Sequence, residues 1–385
     1  MTKCTFVTYS GLPDLDPDDR RVLEILRERG WDCQAAVWDA PDVDWSKAGV
    51  VVVRSTWDYN LKYAKFIEWV DHVSQVAQLF NRPNYIRWNS HKGYLRDLSA
   101  AGIPIVPTHW FERKAGAGVE TGLDARCGTK RPASPVASSG NGGASGGIRP
   151  EWSDATSEND GTKIPGSCAP ESGSASGGKT ITEADVVETE LRRLLDAESS
   201  GKIIVKPAVG LATSGVMLVE EANFSEAVAH VHKLLEEFDV MVQPFIASVR
   251  DPGERALTFV NGRYCHAAQK APFQKLAAAG HAGEKPVEAT VRELELAENV
   301  MGVIGELVRK HDSGDKLSDE DPYLPPPLYA RVDIVRGDNG EPLVIELELV
   351  EPSLFMGFYP LTADFFADAV ENLLKRYEKL EQAKL

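Results

Sequence analysis

The chain has 385 residues, 43% of them hydrophobic and 8% aromatic, which is enough for two or three packed units. Its formal net charge of −16 argues against nucleic acid or an anionic membrane as the main partner, and leaves local phosphate binding open. Five scattered cysteines without C-x-x-C spacing argue against a disulfide framework or a zinc site. A reducing, cytoplasmic setting is expected, since no window approaches about 18 uninterrupted apolar residues and the first residues do not read as a leader.

Residues 1–108 read as an open α/β unit. "CTFVTYS" is a short strand ending in a polar loop, and "PDDRRVLEILRERGW" is an amphipathic helix with Val22, Ile25 and Leu26 on one stripe. "CQAAVW" and "AGVVVVRSTWDY" are further strands. The run Val50 to Val53 suits a strand covered on both faces. "YAKFIEWVDHVSQV" is a helix, followed by a turn, a helix around 90–100 stopped by Gly102, and a strand near 105–110. This alternation predicts a parallel sheet.

The composition then changes. Gly116 to Gly178 holds 14 Gly, 10 Ser and 5 Pro, with Trp152 its sole aromatic residue. Such a stretch buries too little apolar surface to offset its ordering entropy, so residues 115–180 are expected to form a disordered insertion in a folded unit. Within it, Gly173 to Thr180 ("GSASGGKT") spells the P-loop pattern. A P-loop needs an apolar strand feeding the glycine turn, and "GSCAPES" before it is polar and contains proline. The match is read as chance.

After the insertion, a helix over 181–197 is expected, with Thr182 as N-cap and Asp185 three residues on. "KIIVKPAVGLATSGVMLV" reads as strand, glycine turn, strand; "ANFSEAVAHVHKLLEEF" as a helix; "VMVQPFI" as a strand. "GERALTFVNGRYCHAAQKAP" is a hairpin turning at Asn261-Gly262. A helix over roughly 290–310, a hairpin over 328–350 and a final helix over 362–380 complete an α+β pattern. His266 follows a strand and is expected to be a packing residue.

The chemistry concentrates in "LYARVDIVRGDNGEPLVIELELVEPSLF", residues 328–355. A two-residue turn at Asn339-Gly340 sets Asp333 opposite Glu346 and Arg331 opposite Glu348. Alternation then puts these four on one face, and Val332, Ile334, Ile345, Leu347 and Leu349 on the other. Arg331 can neutralise Glu348, whereas Asp333 and Glu346 repel across the ladder. A divalent cation such as Mg²⁺ would relieve that repulsion, as would plain solvation with an ordinary salt bridge.

R-x-D, then a glutamate thirteen residues on and E-x-E, resembles the metal-binding core of the ATP-grasp superfamily. The form E-L-E-L-V-E-P-S-L-F, with Glu348 where many relatives carry Asn, is similar to its cycloserine-synthesis and glutathione-synthetase-like branch. "RSTWDY" (54–59), "NRPNYIRWNSHKGYL" (81–95), "IIVKPAVG" (203–210), "MVQPFIASVRDPGER" (241–255) and "GRYCHAAQKAP" (262–272) resemble that branch in the same order, while 273–288 does not fit it.

The resemblance implies a three-domain ATP-grasp fold. An N-terminal α/β domain (1–108) precedes two α+β layers enclosing ATP, a central one (109–245, with the insertion) and a C-terminal one (246–385) with the metal site. It implies Asp333, Glu346 and Glu348 on Mg²⁺ (or Mn²⁺), and Lys92 and Lys206 on ATP. Gly210 to Gly215 would form a flap, with Gln243 and Phe245 at the adenine hinge and Glu254 at the ribose. Lys270 and Arg331 would sit at the transferred phosphoryl. Arg54, at a strand end, is a candidate substrate anchor or an interdomain salt-bridge residue. The implied activity is an ATP-dependent ligase joining a small-molecule carboxylate to an amine-type nucleophile. A kinase on the same fold and a non-catalytic nucleotide-binding module are the alternatives, and the oligomeric state is left open.

Overall fold

The N-terminal layer follows from the alternation of buried strands and one-sided helices. β1 (Lys3–Thr8), α1 (Pro17–Glu28), β2 (Asp32–Val37), β3 (Val50–Ser55), α2 (Tyr63–Val76) and β4 (Gln78–Phe80) form a parallel sheet in the order β2-β1-β3-β4. Asp16 caps α1 by accepting from the Asp18 amide, Pro17 fixes its first turn, and Val22, Leu23, Ile25 and Leu26 are buried. Val50 to Val53 are each 0% exposed, as a strand covered on both faces requires. The computed structural model describes residues 2–113, 120–122, 183–211, 213–270, 283–311 and 324–383. Nearly all of the Gly/Ser-rich insertion, its P-loop spelling and the Thr182 cap lie outside the described residues.

A separate helix, α3 (Pro83–Asn89), stands where a turn was expected, and the helix expected around 90–100 is α4 (Tyr94–Ala100), starting later because the chain turns through His91 to Gly93. Lys92, expected on a helix, lies in that turn. β5 (His109–Glu112) starts later than expected, and Ile105 forms an isolated bridge to Val344. β6 (Glu120–Gly122), α5 (Glu183–Ala197), β7 (Ile203–Pro207), β8 (Met217–Val219), α6 (Phe224–Leu235) and β9 (Val240–Pro244) complete a second layer. Its antiparallel sheet runs β6-β5-β9-β7-β8. Apolar residues of α5 and α6, among them Leu191 and Val231, pack on Val205 and Val242 of that sheet.

β10 (Arg255–Val260), β11 (Arg263–Gln269), β12 (Lys285–Val287), α7 (Val291–His311), β13 (Tyr329–Arg336), β14 (Pro342–Glu348) and α8 (Pro360–Ala383) build the third layer. The sheet is antiparallel, in the order β12-β11-β10-β13-β14. Asn261 and Gly262 both take positive φ (48° and 75°), the geometry of the predicted two-residue turn.

The β13–β14 turn differs. Gly340 has φ +82°, but Asn339 is not left-handed and uses its side chain to accept from the Glu341 amide at 3.0 Å. The chain reverses through a wider loop, Gly337 donating to the Glu341 carbonyl at 2.9 Å. The outer rungs are therefore shifted, with Ile334 opposite Val344 rather than Ile345. Ile345 is extruded as a bulge, which restores Asp333 opposite Glu346 and Arg331 opposite Glu348. Val344 takes the core place expected for Ile345, which packs instead beside Val106, Ile246 and Val335.

Candidate nucleotide and metal site

Asp333, Glu346 and Glu348 each bring a carboxylate oxygen to within 4.8 Å of the others. Asp333 is 0% exposed, at the centre of the β13–β14 ladder. Two basic groups hold it. Arg331 makes a two-pronged ion pair (Nε–Oδ1 2.8 Å, Nη2–Oδ2 2.8 Å) and Lys270 Nζ reaches Oδ2 at 2.9 Å. Arg331 also bonds Glu348 Oε1, and Lys270 pairs with Glu254 at 2.8 Å. Lys92 Nζ binds Glu346 Oε1 at 2.8 Å and the Gly210 carbonyl at 2.9 Å, joining the turn after α3 to both later layers.

The electrostatics separate the three acids. Burial pushes the Asp333 carboxyl up, but Arg331 and Lys270 outweigh it and hold the group at about 2. Burial pushes Glu346 up as well, and Lys92 and Lys270 bring it below its ordinary value. Burial raises Glu348 to about 7, Arg331 opposing and Glu346 and Asp333 reinforcing. Lys206, on β7, has its ammonium pulled below the usual lysine range by burial, with Lys92 and Lys270 adding to the effect. It makes no ion pair among the described residues.

The platform is held by uncharged neighbours. Asn89 at the end of α3 donates to the Leu347 carbonyl at 2.8 Å and accepts from the Leu349 amide at 2.7 Å. Tyr94 accepts from the Leu347 amide at 3.0 Å. These contacts satisfy the backbone of Leu347 and Leu349 without drawing on the acidic side chains. Gly215 has φ +71°, and a Cβ there would sit 3.2 Å from Pro207 and 3.3 Å from Leu234, so the turn between β7 and β8 needs glycine.

Other predicted residues are placed differently. Gln243 is 2% exposed and donates to Thr108 Oγ1 at 2.9 Å, so its side chain is committed to the sheet. Phe245 donates its amide to the Lys202 carbonyl and lies under the Arg250 guanidinium, 4.7 Å from the ring centre. Arg54 is 2% exposed, pairs with Asp19 at 2.7 Å, donates to the Pro352 carbonyl at 2.9 Å and stacks on Tyr329. Its salt bridge lies within the first layer, to α1, and it reaches residues 351–353 by a hydrogen bond to the Pro352 carbonyl. His266 is a packing histidine: Nε2 donates to the Leu354 carbonyl and Nδ1 accepts from Thr362, both at 2.8 Å. Two buried groups beside the acids, Tyr59 and Glu351, were not singled out from sequence. The signal was the third acid of "ELELVEP", off the strand alternation that exposed the other two.

Residues 4–81 match the family model described as D-cycloserine synthetase DcsG, N-terminal domain. The chain is 26% identical to the cycloserine biosynthesis protein DcsG of Streptomyces lavendulae, over 94% of this chain and 95% of that protein. It is similar to the crystal structure of D-cycloserine synthetase DcsG (TM-score 0.69, 25% identity, 97% of this chain and 99% of that one). A RimK domain ATP-grasp protein from Sphaerobacter thermophilus shares the fold at TM-score 0.52 and 14% identity, over 96% and 98% of the two chains. Fold, residue order and relatives agree: the chain has the ATP-grasp fold, is similar to a cycloserine-synthesis ligase over nearly its whole length, and is an ATP-dependent carboxylate–amine ligase.

Proposed function

We propose that Asp333, Glu346 and Glu348 would hold one or two Mg²⁺ (or Mn²⁺) ions beside the triphosphate of ATP. The observation that carries this reading is the convergence of three oxygen donors within 4.8 Å, ringed by Arg331, Lys270 and Lys92. Carboxylate oxygens suit a hard divalent ion, which when bound draws charge from the phosphate oxygens. Lys206 and Lys92 meet the phosphates, and residues 210–215 close over them. The backbone of Met241 to Phe245 reads the adenine edge, and Glu254 accepts from the ribose hydroxyls.

The small-molecule carboxylate of the substrate attacks the γ-phosphorus and ADP leaves. Arg331 and Lys270 stabilise the charge that collects on the transferred group. An amine-type nucleophile then attacks the acyl carbon and phosphate departs, so no side chain of the protein need act as a covalent nucleophile. Positioning by the three layers, read as domains 1–108, 109–245 and 246–385, supplies most of the rate.

The test is a screen for ADP and phosphate release over amino acids, dipeptides and ureido or hydroxamate-type acids, with mass spectrometry of the product. ADP, free phosphate and a condensed or ring-closed product are expected. ADP without free phosphate would make the chain a kinase, and AMP would contradict the reading outright.

A further inference from the structure

A fourth acid stands beside the cluster. Glu351, in the loop after β14, is 5% exposed and lines a small pocket (≈ 30 Å³) with Tyr59, Lys92, Gly210, Glu346 and Glu348. The other three acids each have a cationic partner: Arg331 and Lys270 for Asp333, Lys92 for Glu346, Arg331 for Glu348. The Glu351 carboxylate makes no hydrogen bond or ion pair among the described residues, and it stands outside the group of three metal-ready oxygens. The Tyr59 hydroxyl, in a side chain 4% exposed, is likewise without a partner there.

The position of the loop is fixed. Trp57 Nε1 donates to the Glu351 carbonyl at 3.1 Å and Arg54 to the Pro352 carbonyl at 2.9 Å. Next to these contacts, Thr56 Oγ1 and Ser353 Oγ are also buried without a partner. Two polar groups that line the pocket, the Glu351 carboxylate and the Tyr59 hydroxyl, are thus left without a partner among the described residues. Polar groups in side chains this buried are as a rule paired with protein, water or a ligand. Burial, reinforced by Glu348, pushes the Glu351 carboxyl well above the ordinary carboxylate range, a cost that an arriving cation would reverse. The pocket has room for about two water molecules, enough to admit an ammonium group.

We propose that Glu351, with Tyr59, is the subsite that receives the ammonium group of the ligase's substrate, next to the carboxylates where phosphoryl transfer takes place. The assignment rests on the ligase reading above. The carboxylate accepts two ammonium N–H bonds and the phenol oxygen a third. An acid lacking the amino group would leave Glu351 buried and unpaired, so this subsite sets specificity.

The probe is ADP release by the full chain with Mg-ATP, stimulated by a pool of α-amino acids of both hands or by a pool of the corresponding deaminated acids. The amino pool is expected to stimulate the wild type at least tenfold better. Glu351→Gln should raise the half-stimulating concentration of the amino pool at least tenfold and that of the deaminated pool less than twofold; Tyr59→Phe should raise the former about threefold. Equal stimulation by the two pools, a Glu351→Gln loss shared by both, or a loss repaired by more Mg²⁺ would overturn the assignment. Should Glu351→Gln not fold, Tyr59→Phe decides. No ADP release with either pool, nor with the dipeptides and the ureido and hydroxamate-type acids of the screen above, would overturn the ligase reading itself, and the subsite with it.

Discussion

Arg331 and Lys270 neutralise Asp333 from two sides, and single side chains set the chemistry of this cleft. Strand alternation made Arg331, Asp333, Glu346 and Glu348 legible in the sequence, because four charged residues on one face of a hairpin cannot all belong to a core. Lys92 and Lys270 were legible only through resemblance, since their reach to Glu346 and Asp333 crosses the chain from 92 to 346 and from 270 to 333. Gln243 misled because a polar residue on a buried strand reads alike whether it faces a ligand or Thr108.

At this scale His266 gives a pH prediction. Burial lowers its imidazole to about 4, below its unfolded value, so the unfolded chain binds the proton first as pH falls. Stability is therefore expected to drop between about pH 6.5 and pH 4, by up to about 3 kcal/mol from this group. Chemical-denaturation midpoints across that range should fall less in His266→Gln than in the wild type. Parallel profiles would contradict the assignment.

Among the elements, β14 is the one on which the site depends. Its register was predicted correctly at the acids through a turn that does not form: the wider loop shifts the outer rungs and the Ile345 bulge shifts the inner ones back. Sequence could not distinguish these routes, because Asn-Gly suits a left-handed pair and an Asn side-chain turn equally well. The inner half of β14 is held by Asn89, whose amide satisfies two buried peptide groups. Asn89→Ala would leave both unpaired and should cost about 2–4 kcal/mol. Urea denaturation measures that loss, and an unchanged midpoint would show that Asn89 does not hold the strand.

Across the whole molecule, the strand–helix alternation of the first layer and the hairpins of the third were readable as local periodicity. The order of the strands within the two antiparallel sheets was not, since it depends on packing between distant segments. The site draws its groups from residues 1–123 and 183–385, which form one unit. Replacing residues 124–178 by a short Gly/Ser linker is expected to leave Mg-ATP affinity within about twofold. Loss of binding would give the P-loop spelling at Gly173 a role after all. Among the described residues no helix is long and apolar enough to cross a membrane.

Three carboxylates gathered by one bulged hairpin are held to carry the metal that presents ATP. The direct measurement is the affinity of the wild type and of Glu346→Gln for a non-hydrolysable ATP analogue, with and without Mg²⁺. The account predicts that Mg²⁺ tightens binding to the wild type at least tenfold and gives Glu346→Gln less than a twofold gain, with ADP release by the variant lowered at least a hundredfold. A variant that binds and turns over like the wild type would contradict it.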